Sequence, residues 1–337
     1  MSAGDLAADA GIHCLPIPTP FAVGRVNTYL LEDAPLTLVD SGPNSAKALD
    51  ALQRALAERG HEIEDLELLI VTHQHIDHLG LLDVIARRSG AEIAALDVLT
   101  PYVERYREDA ELDDQFAEAL MLRHGIPADV VQALRAVSAA FRAWGSSARV
   151  TRPLRDGDRL ELRDRTLEVL HRPGHSPTDT LFWDAERCIL IAADHLLKRI
   201  SSNPLITRPP GADPKSAAGA DRPQALVAYL DSLARTRELP AEVVLPGHGE
   251  PITDHVALID KRFRMHARRA EKVFGLIAER PRSAYEIGQA MWGDVAVTQA
   301  YLTLSEVLGH VDVLLNAGRV REVERGAKVV FEPLDGH

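Results

Sequence analysis

Short apolar runs and amphipathic stretches alternate along the first part of the chain. Three such runs predict strands, at residues 27–32, 36–40 and 66–71, with a turn at 33–35 between the first two. Residues 45–59 place apolar side chains at helical spacing, and Gly60 is a typical C-terminal cap. This alternation predicts an α/β fold in which helices cover the outer faces of the sheets.

The middle of the chain changes from a helical to a strand pattern. From about Asp97 to Ser147 the apolar residues follow helical spacing, which predicts a helical insertion. Strand patterns resume near residue 150 and recur at 159–162, 166–170, 180–183, 188–192 and 243–245. The stretch from Arg208 to Arg222 is rich in Pro, Gly and Ala and predicts an exposed loop.

Beyond Asp254 the pattern is mainly helical. It predicts a long helix through about Glu279, a short one at 284–291 and another from Val297 to Leu315, followed by a hairpin around Arg325. Helices followed by a two-stranded ribbon resemble a winged-helix module. We therefore expect a larger domain over residues 1–260, with its insertion at about 97–147, and a small winged-helix-like C-terminal domain over residues 261–337.

The composition favours a soluble protein with an acidic surface. Of the 337 residues 46% are hydrophobic, and no apolar run approaches the roughly 18 residues of a membrane span. Residues 1–10 lack the basic cluster and apolar stretch of a leader peptide, so we expect a cytoplasmic location and no membrane partner. Cys14 and Cys188 stand far apart, which argues against a disulfide framework. The net charge of −12 disfavours general attraction to phosphate backbones.

A dense group of metal-ligand residues follows the strand predicted at 66–71. The sequence THQHIDH places there His73, His75, Asp77 and His78. Later turns, each after a predicted strand, add His175 in RPGHS, Asp194 in AAD and His248 in LPGHG. Imidazoles and carboxylates suit zinc, whereas structural zinc sites are usually rich in cysteine. The residue types therefore indicate a catalytic metal site, for which no serine or cysteine nucleophile is required.

Together these motifs resemble the metallo-β-lactamase superfamily, in the branch that contains glyoxalase II, over roughly residues 20–255. The resemblance implies an αββα sandwich that holds two zinc ions per chain, with iron or manganese as alternatives. It assigns ligands to one metal (His73, His75 and His175), to the second (Asp77, His78 and His248) and to both (Asp194, as a bridge). It also implies that Asp40, in LVDSGP, orients a ligand, for which an Asx-turn is the simpler alternative.

The chemistry that this resemblance implies is hydrolysis by a hydroxide held between the two metals, with Asp77 both a ligand and a catalytic residue. The expected substrate is a small acyl thioester or ester, and a lactone is the nearest alternative. Lys198 and Arg199 either bind a carboxylate or phosphate of the substrate or form a solvated loop end. His195 is a further candidate for substrate binding, or a packing residue.

Three other functions remain open at this point. The C-terminal module resembles the winged helix found behind some lactamase-like endoribonucleases and thioesterase-like proteins, so metal-dependent RNA cleavage is one of them. A winged-helix regulator with a ligand-sensing metal domain and a sulfur-oxidising iron enzyme are the others. Residues 261–337 hold 12 basic and 10 acidic residues, a weak footprint for nucleic acid. We therefore expect a small-molecule substrate, and allow for a homodimer formed through the C-terminal domain.

The helical insertion is the predicted cover of the acyl group. Its candidates to line an acyl pocket are Phe116, Leu120, Leu134 and Phe141. For each of these residues taken singly, a place in the core is the more common outcome.

Overall fold

Two β-sheets face each other across a shared apolar core in the computed structural model, which describes residues 3–334. In the first sheet the strands lie in chain order: Ile12–Ile17 (β1), Val26–Leu31 (β2), Thr37–Val39 (β3), Leu68–Val71 (β4), Glu92–Leu96 (β5) and Arg152–Leu154 (β6). The first three strands pair antiparallel, whereas β3 to β6 pair parallel. Parallel pairs need crossover connections, which explains the helices between these strands.

The second sheet is built from the strands that follow along the chain. Its members are Arg159–Glu161 (β7), Thr166–His171 (β8), Thr180–Asp184 (β9), Ile189–Ala193 (β10) and Val243–Pro246 (β11). They lie in the order β11, β10, β9, β8, β7, and all neighbours are antiparallel except β10 and β11. Leu38 and Leu69 of the first sheet are buried in one cluster with Phe182 and Ile191 of the second. The predicted strands are therefore confirmed, with ends shifted by at most two residues, whereas β1 and β5 were not predicted.

Helices cover the outer face of the first sheet. The N-terminal helices are Ala3–Asp9 (α1), Ala46–Ala57 (α2), Ile76–Leu79 (α3) and Leu82–Ser89 (α4). Ser45 caps α2, because its side chain accepts a hydrogen bond from the backbone N–H of Ala48. Leu52 and Leu56 of this helix are buried in the core of the first sheet, which confirms the predicted apolar face.

The helical insertion expected at 97–147 is present. It consists of Thr100–Glu104 (α5), Tyr106–Arg123 (α6) and Ala128–Phe141 (α7), and ends in a 3₁₀ turn at Arg142–Trp144. Phe116 and Leu120 are buried in a cluster with C-terminal residues such as Leu304 and Phe331, and Leu134 packs against the same cluster. An acyl-pocket role is therefore wrong for Phe116 and Leu120, whose side chains fill the core between the insertion and the C-terminal helices as the more common outcome predicts, while Leu134 packs against that core half-buried.

The stretch from 208 to 222, predicted to be an exposed loop, is partly buried. It contains a short helix, Pro214–Ala217 (α8). Arg208 pairs with Asp109 at 2.6 Å, and Arg222 pairs with Asp312 at 2.6 Å, and all four side chains are buried. The prediction failed because Pro, Gly and Ala indicate irregular backbone but say nothing of ion pairs with residues far along the chain.

The outer face of the second sheet is covered by Ala225–Arg237 (α9). Tyr229 and Leu233 of this helix are buried in a cluster with Leu181 and Leu190 of the sheet. The layers therefore follow the order helix, sheet, sheet, helix. This is the layer order that the sequence predicts.

The C-terminal part is made of helices and a hairpin. Its elements are His255–Glu279 (α10), Ala284–Trp292 (α11), Val295–Thr298 (α12), Ala300–Asn316 (α13), Val320–Arg325 (β12) and Lys328–Pro333 (β13). The first two helices and the ribbon lie where they are predicted, whereas the helix predicted from Val297 to Leu315 is interrupted at Gln299 between α12 and α13. A winged-helix arrangement stays a prediction. The boundary expected after residue 260 falls inside α10, a continuous helix that contacts both α9 and α13. Within residues 3–334 no helix is long and apolar enough to cross a bilayer.

Candidate metal centre

The candidate ligands meet at one edge of the two-sheet sandwich. They follow β4 (His73, His75, Asp77 and His78), β8 (His175), β10 (Asp194) and β11 (His248). Directly after His75 the chain enters the single turn α3, which buries the side chains of Asp77 and His78. The structure thus brings all the predicted ligands together, in two groups.

The first donor group comprises His73, His75, His175 and Asp194, whose ligand atoms lie within 4.8 Å of one another. Nε2 of His73 is 3.0 Å from Nδ1 of His75, and Nε2 of His175 is 2.9 Å from the same atom. Oδ2 of Asp194 is 3.6 Å from Nε2 of His175. Two nitrogens that bind one zinc ion at about 2.0 Å stand roughly 3 Å apart, so this group has the spacing of a metal site.

The second donor group comprises Asp77, His78 and His248, again with ligand atoms within 4.8 Å of one another. Nε2 of His248 lies 3.4 Å from Oδ2 of Asp77. Asp194 faces this group as well, since its Oδ1 is 3.6 Å from Nε2 of His78 and its Oδ2 is 3.4 Å from Nε2 of His248. The carboxylate of Asp194 therefore lies between the two donor groups.

Asp40 orients His78 of the second donor group through a hydrogen bond. Its Oδ2 accepts a hydrogen bond of 2.7 Å from Nδ1 of His78, which leaves Nε2 free to face the site. Asp40 also accepts from the backbone N–H and the hydroxyl of Thr72, and that hydroxyl lies 3.0 Å from Nδ1 of His73. This is the contact that an orienting residue requires, and such partners fix the tautomer and direction of a ligating imidazole.

Backbone carbonyls orient two further imidazoles. Nδ1 of His175 donates to the carbonyl of Asn203 at 3.1 Å, and Nδ1 of His248 donates to the carbonyl of Arg25 at 2.8 Å. Sequence reasoning missed Asn203 and Arg25 in this role. No signal in the sequence indicates them, because any residue type supplies the same carbonyl group.

The backbone packs tightly around Asp194. A Cβ atom on Gly247 would lie 2.2 Å from Oδ1 of Asp194 and 2.9 Å from Cε1 of His78, so only glycine fits there. The N–H of Gly247 also donates to the carbonyl of Ala193 at 2.6 Å. Ala193 itself has a φ of 42°, a left-handed conformation that costs a residue with a Cβ roughly 1–2 kcal/mol.

Burial and neighbouring charges set the protonation of the donors. Burial and the adjacent imidazoles hold the pKa of His73 well below its usual range, and burial together with His175 lowers the pKa of His75 to about 3. Burial opposes ionisation of Asp194, but His78 and His248 outweigh it and hold the pKa of this carboxyl well below its usual range. His73 and His75 are therefore neutral and Asp194 is ionised, which are the forms that bind a metal ion. Burial opposes protonation of His78 and His248, but Asp40 and Asp194 raise the pKa of His78 well above its usual range and Asp194 raises the pKa of His248 to about 10, so these two imidazoles release a proton when a metal binds.

The side chains of the three predicted substrate-binding residues contact residues outside the two donor groups. Lys198 and Arg199 both pair with Glu250, at 3.0 and 2.6 Å, on the exposed surface beside His248. The side chain of His195 is fully buried, and its Nε2 lies 2.9 Å from the hydroxyl of Thr236. Burial and Arg172 lower the pKa of His195 to about 3, so the imidazole is neutral. In this structure His195 has the surroundings of a packing residue.

Comparison with known proteins agrees with this geometry. The profile of the Metallo-beta-lactamase superfamily matches residues 22–248. The chain belongs to the metallo-β-lactamase superfamily. A superfamily relative, the probable metallo-hydrolase YqjP of Bacillus subtilis (strain 168), is 34% identical over 96% of this chain and 98% of its own length. The acyl-coenzyme A thioesterase MBLAC2 of Bos taurus is 31% identical over 38% of this chain and 40% of its own length.

Solved structures of the metallo-β-lactamase superfamily share the fold over nearly the whole chain. A family protein from Thermus thermophilus superposes with a TM-score of 0.76 at 27% identity, over 96% of this chain and 99% of its own. A β-lactamase domain protein from Burkholderia ambifaria gives a TM-score of 0.79 at 26% identity, over 96% of this chain and 92% of its own. The chain is therefore a metal-dependent hydrolase of this superfamily, and its membership of the glyoxalase II-like branch stays a prediction.

Proposed function

We propose that the chain is a two-metal hydrolase of small acyl thioesters, with zinc as the metal. The position of Asp194 is the observation that carries the two-metal assignment. Its carboxylate lies 3.6 Å from His78 of one donor group and 3.6 Å from His175 of the other. A single carboxylate shared between two donor groups sets the spacing of two ions.

Each residue of the centre has a part in this proposal. The proposed ligands of one ion are His73, His75 and His175, those of the other are Asp77, His78 and His248, and Asp194 lies between them. When bound, two divalent ions supply a nucleophile from water at neutral pH and polarise the carbonyl of the substrate. Asp40 keeps His78 in the tautomer whose Nε2 carries the lone pair.

A partly exposed aromatic cluster supports an acyl substrate. We call Phe21, Phe141 and Trp144 the aromatic rim, because their ring centroids lie 5.0 to 5.7 Å apart and 37% of Phe141 is exposed. The segment that carries Trp144 lies near the turn of the second donor group, since Ser146, two residues after Trp144, donates to the carbonyl of Gly80 directly after α3. Exposed apolar surface beside a hydrolytic site suits an acyl chain.

Both segments that carry the rim contact residues or elements that provide ligands of the proposed second ion. The loop that carries Phe21 continues to Arg25, whose carbonyl holds His248. The 3₁₀ turn that carries Trp144 contacts α3, the turn that carries Asp77. The Bos taurus relative is an acyl-coenzyme A thioesterase, which agrees with an acyl substrate for this chain.

A hydrolysis panel tests the proposal. Full-length protein loaded with zinc is assayed against acyl thioesters of increasing chain length, lactones, phosphodiesters and RNA, beside Asp194→Ala and a control, Glu186→Ala. Glu186 is a carboxylate whose side chain is 82% exposed, on the turn before β10. We expect thioester turnover that falls at least ~100-fold in Asp194→Ala and is unchanged in Glu186→Ala.

Two results would contradict the proposal. Wild-type protein that ignores every thioester but cleaves RNA, with cleavage abolished in Asp77→Ala, would replace the substrate class. Elemental analysis that finds one ion per fully loaded chain, with the content unchanged in His78→Ala, would remove the second metal.

A further inference from the structure

The segment of residues 194–207 contacts the metal centre at two points. It starts at Asp194, and the hydroxyl of Ser202 donates back to the carbonyl of Asp194. The next residue, Asn203, offers its carbonyl to Nδ1 of His175 at 3.1 Å, and the N–H of Leu205 donates to the carbonyl of His175. The position of this segment therefore determines both the start of the Asp194 loop and the orientation of His175.

The C-terminal helices hold the same segment from the other side. On α10, Nη2 of Arg262 donates to the carbonyls of Leu197 at 2.9 Å and Ile200 at 2.8 Å. On α13, the carbonyl of Leu302 accepts from Nδ2 of Asn203 at 3.2 Å. Ser305 and Tyr301 of α13 further bind the backbone N–H and carbonyl of Ile206.

Arg262 differs from the other buried arginines of the chain. Only 5% of it is exposed, yet no carboxylate within residues 3–334 lies within 4.0 Å of its guanidinium. The remaining buried arginines each pair with a carboxylate: Arg165 with Asp33, Arg172 with Asp156, Arg208 with Asp109 and Arg222 with Asp312.

This difference points to what Arg262 does. Burying a charge without a counter-ion is unfavourable, and here the compensating contacts are backbone carbonyls of the segment that follows Asp194. A side chain that only stabilised the packing of α10 would not need a charge. The two N–H bonds of Nη2, in contrast, can donate to two carbonyls at once.

We propose that Arg262 is a positioning residue of the metal centre. By holding the carbonyls of Leu197 and Ile200, it fixes the segment that runs from Asp194 to Asn203, and through Asn203 it fixes the direction of His175. The C-terminal helices are then a working part of the centre and not only a neighbouring domain. This inference rests on the metal-ligand roles proposed above for Asp194 and His175.

Metal affinity of the full chain tests the inference. We compare Arg262→Met, which keeps the aliphatic stem and removes the donors, with Arg269→Met as control. Arg269 lies on the same helix and pairs with Glu306 of α13, so the control breaks a link between the two helices without touching the 194–207 segment. The zinc affinity is measured by titration against a competing chelator, and thermal unfolding of the metal-free proteins reports on the fold.

Partners of ligating histidines typically contribute 10- to 100-fold to metal affinity. Because Arg262 acts one contact further out, we expect an affinity about 10-fold weaker in Arg262→Met, unchanged in Arg269→Met and partly restored in Arg262→Lys. Asn203→Ala, which removes only the link to Leu302, should weaken affinity in the same direction and decides the matter if Arg262→Met does not fold.

Wild-type affinity in a folded Arg262→Met protein, or an equal loss in Arg269→Met, would overturn the inference. If Arg262→Met does not fold, unchanged affinity in Asn203→Ala has the same meaning. The affinity readout does not depend on turnover, so failure of the thioester panel would refute the proposed substrate and leave this comparison intact.

Discussion

Gly247→Ala offers the sharpest test of how the centre is built. The added Cβ would lie 2.2 Å from Oδ1 of Asp194 and 2.9 Å from Cε1 of His78. Ordinary carbon–oxygen contacts begin near ~3.4 Å, so the carboxylate has to retreat by about 1 Å. Metal–ligand distances hold to about 0.2 Å, which is much less than this displacement. The variant should therefore fold and fail to hold its metals correctly.

The expected outcome is loss of at least one ion per chain and a fall in kcat/KM of about 100-fold, with an overpacking cost of about 1–3 kcal/mol in the free energy of unfolding. Elemental analysis after gel filtration gives the metal content, and denaturant unfolding gives the stability. Gly249→Ala is the matched control in the same loop. A Cβ there meets open space but has a left-handed φ of 81°, so we expect about 1 kcal/mol of destabilisation with full metal content. Gly247→Ala with both ions and wild-type kcat/KM would refute the packing argument.

Three further predictions follow from other parts of the structure. Asp40→Asn should weaken the second ion's affinity about 10- to 100-fold, because the amide no longer provides the carboxylate that accepts from His78; chelator competition that shows no change would contradict this. Phe141→Ala should lower kcat/KM for a long acyl thioester about 10-fold more than for an acetyl thioester, and equal losses would remove the aromatic rim from substrate binding. Burial and Arg172 lower the pKa of His195 to about 3, and burial and His310 lower that of His266 to about 3. In the unfolded chain these imidazoles have a pKa of about 6.5 and bind protons that they do not bind in the folded protein. Their contribution to the free energy of unfolding is therefore complete above about pH 6.5 and decreases as the pH falls below that value. Denaturant titrations should show a loss of about 2 kcal/mol per residue between pH 7.5 and pH 5, and His266→Gln should remove its share of that loss.

Much of the metal centre could be predicted from the sequence, because its ligands lie in short motifs at the ends of apolar strands. A motif such as THQHIDH shows its chemistry locally, and the structure brings His73, Asp194 and His248 together as the motifs predict. The orienting role of Asp40 could be predicted for the same reason, because it too lies in a short motif after an apolar strand. Gly247 was not, since LPGHG shows a glycine but not that its missing Cβ makes room for Asp194.

What could not be predicted depends on contacts between distant parts of the chain. The spacing of Phe116 and Leu120 shows an apolar face, but not that the face meets α13 instead of the substrate. In the same way, Arg208 in a proline-rich stretch gives no sign of its buried partner. The helix α9 was not predicted either, but for another reason. Leu226, Tyr229 and Leu233 stand at helical spacing, so the sequence does contain the pattern of an amphipathic helix there.

The ligands come from both sheets, and this has a consequence for when the protein acquires its metals. His73 and His75 are synthesised early, on the first sheet, but His248 and the helices that hold the 194–207 segment leave the ribosome last. The first donor group is therefore complete in the nascent chain once Asp194 has been synthesised, whereas the second group has to wait for His248. We therefore expect the second ion to bind later than the first, and an ion in either group would link residues that lie far apart along the chain and so stabilise the folded protein.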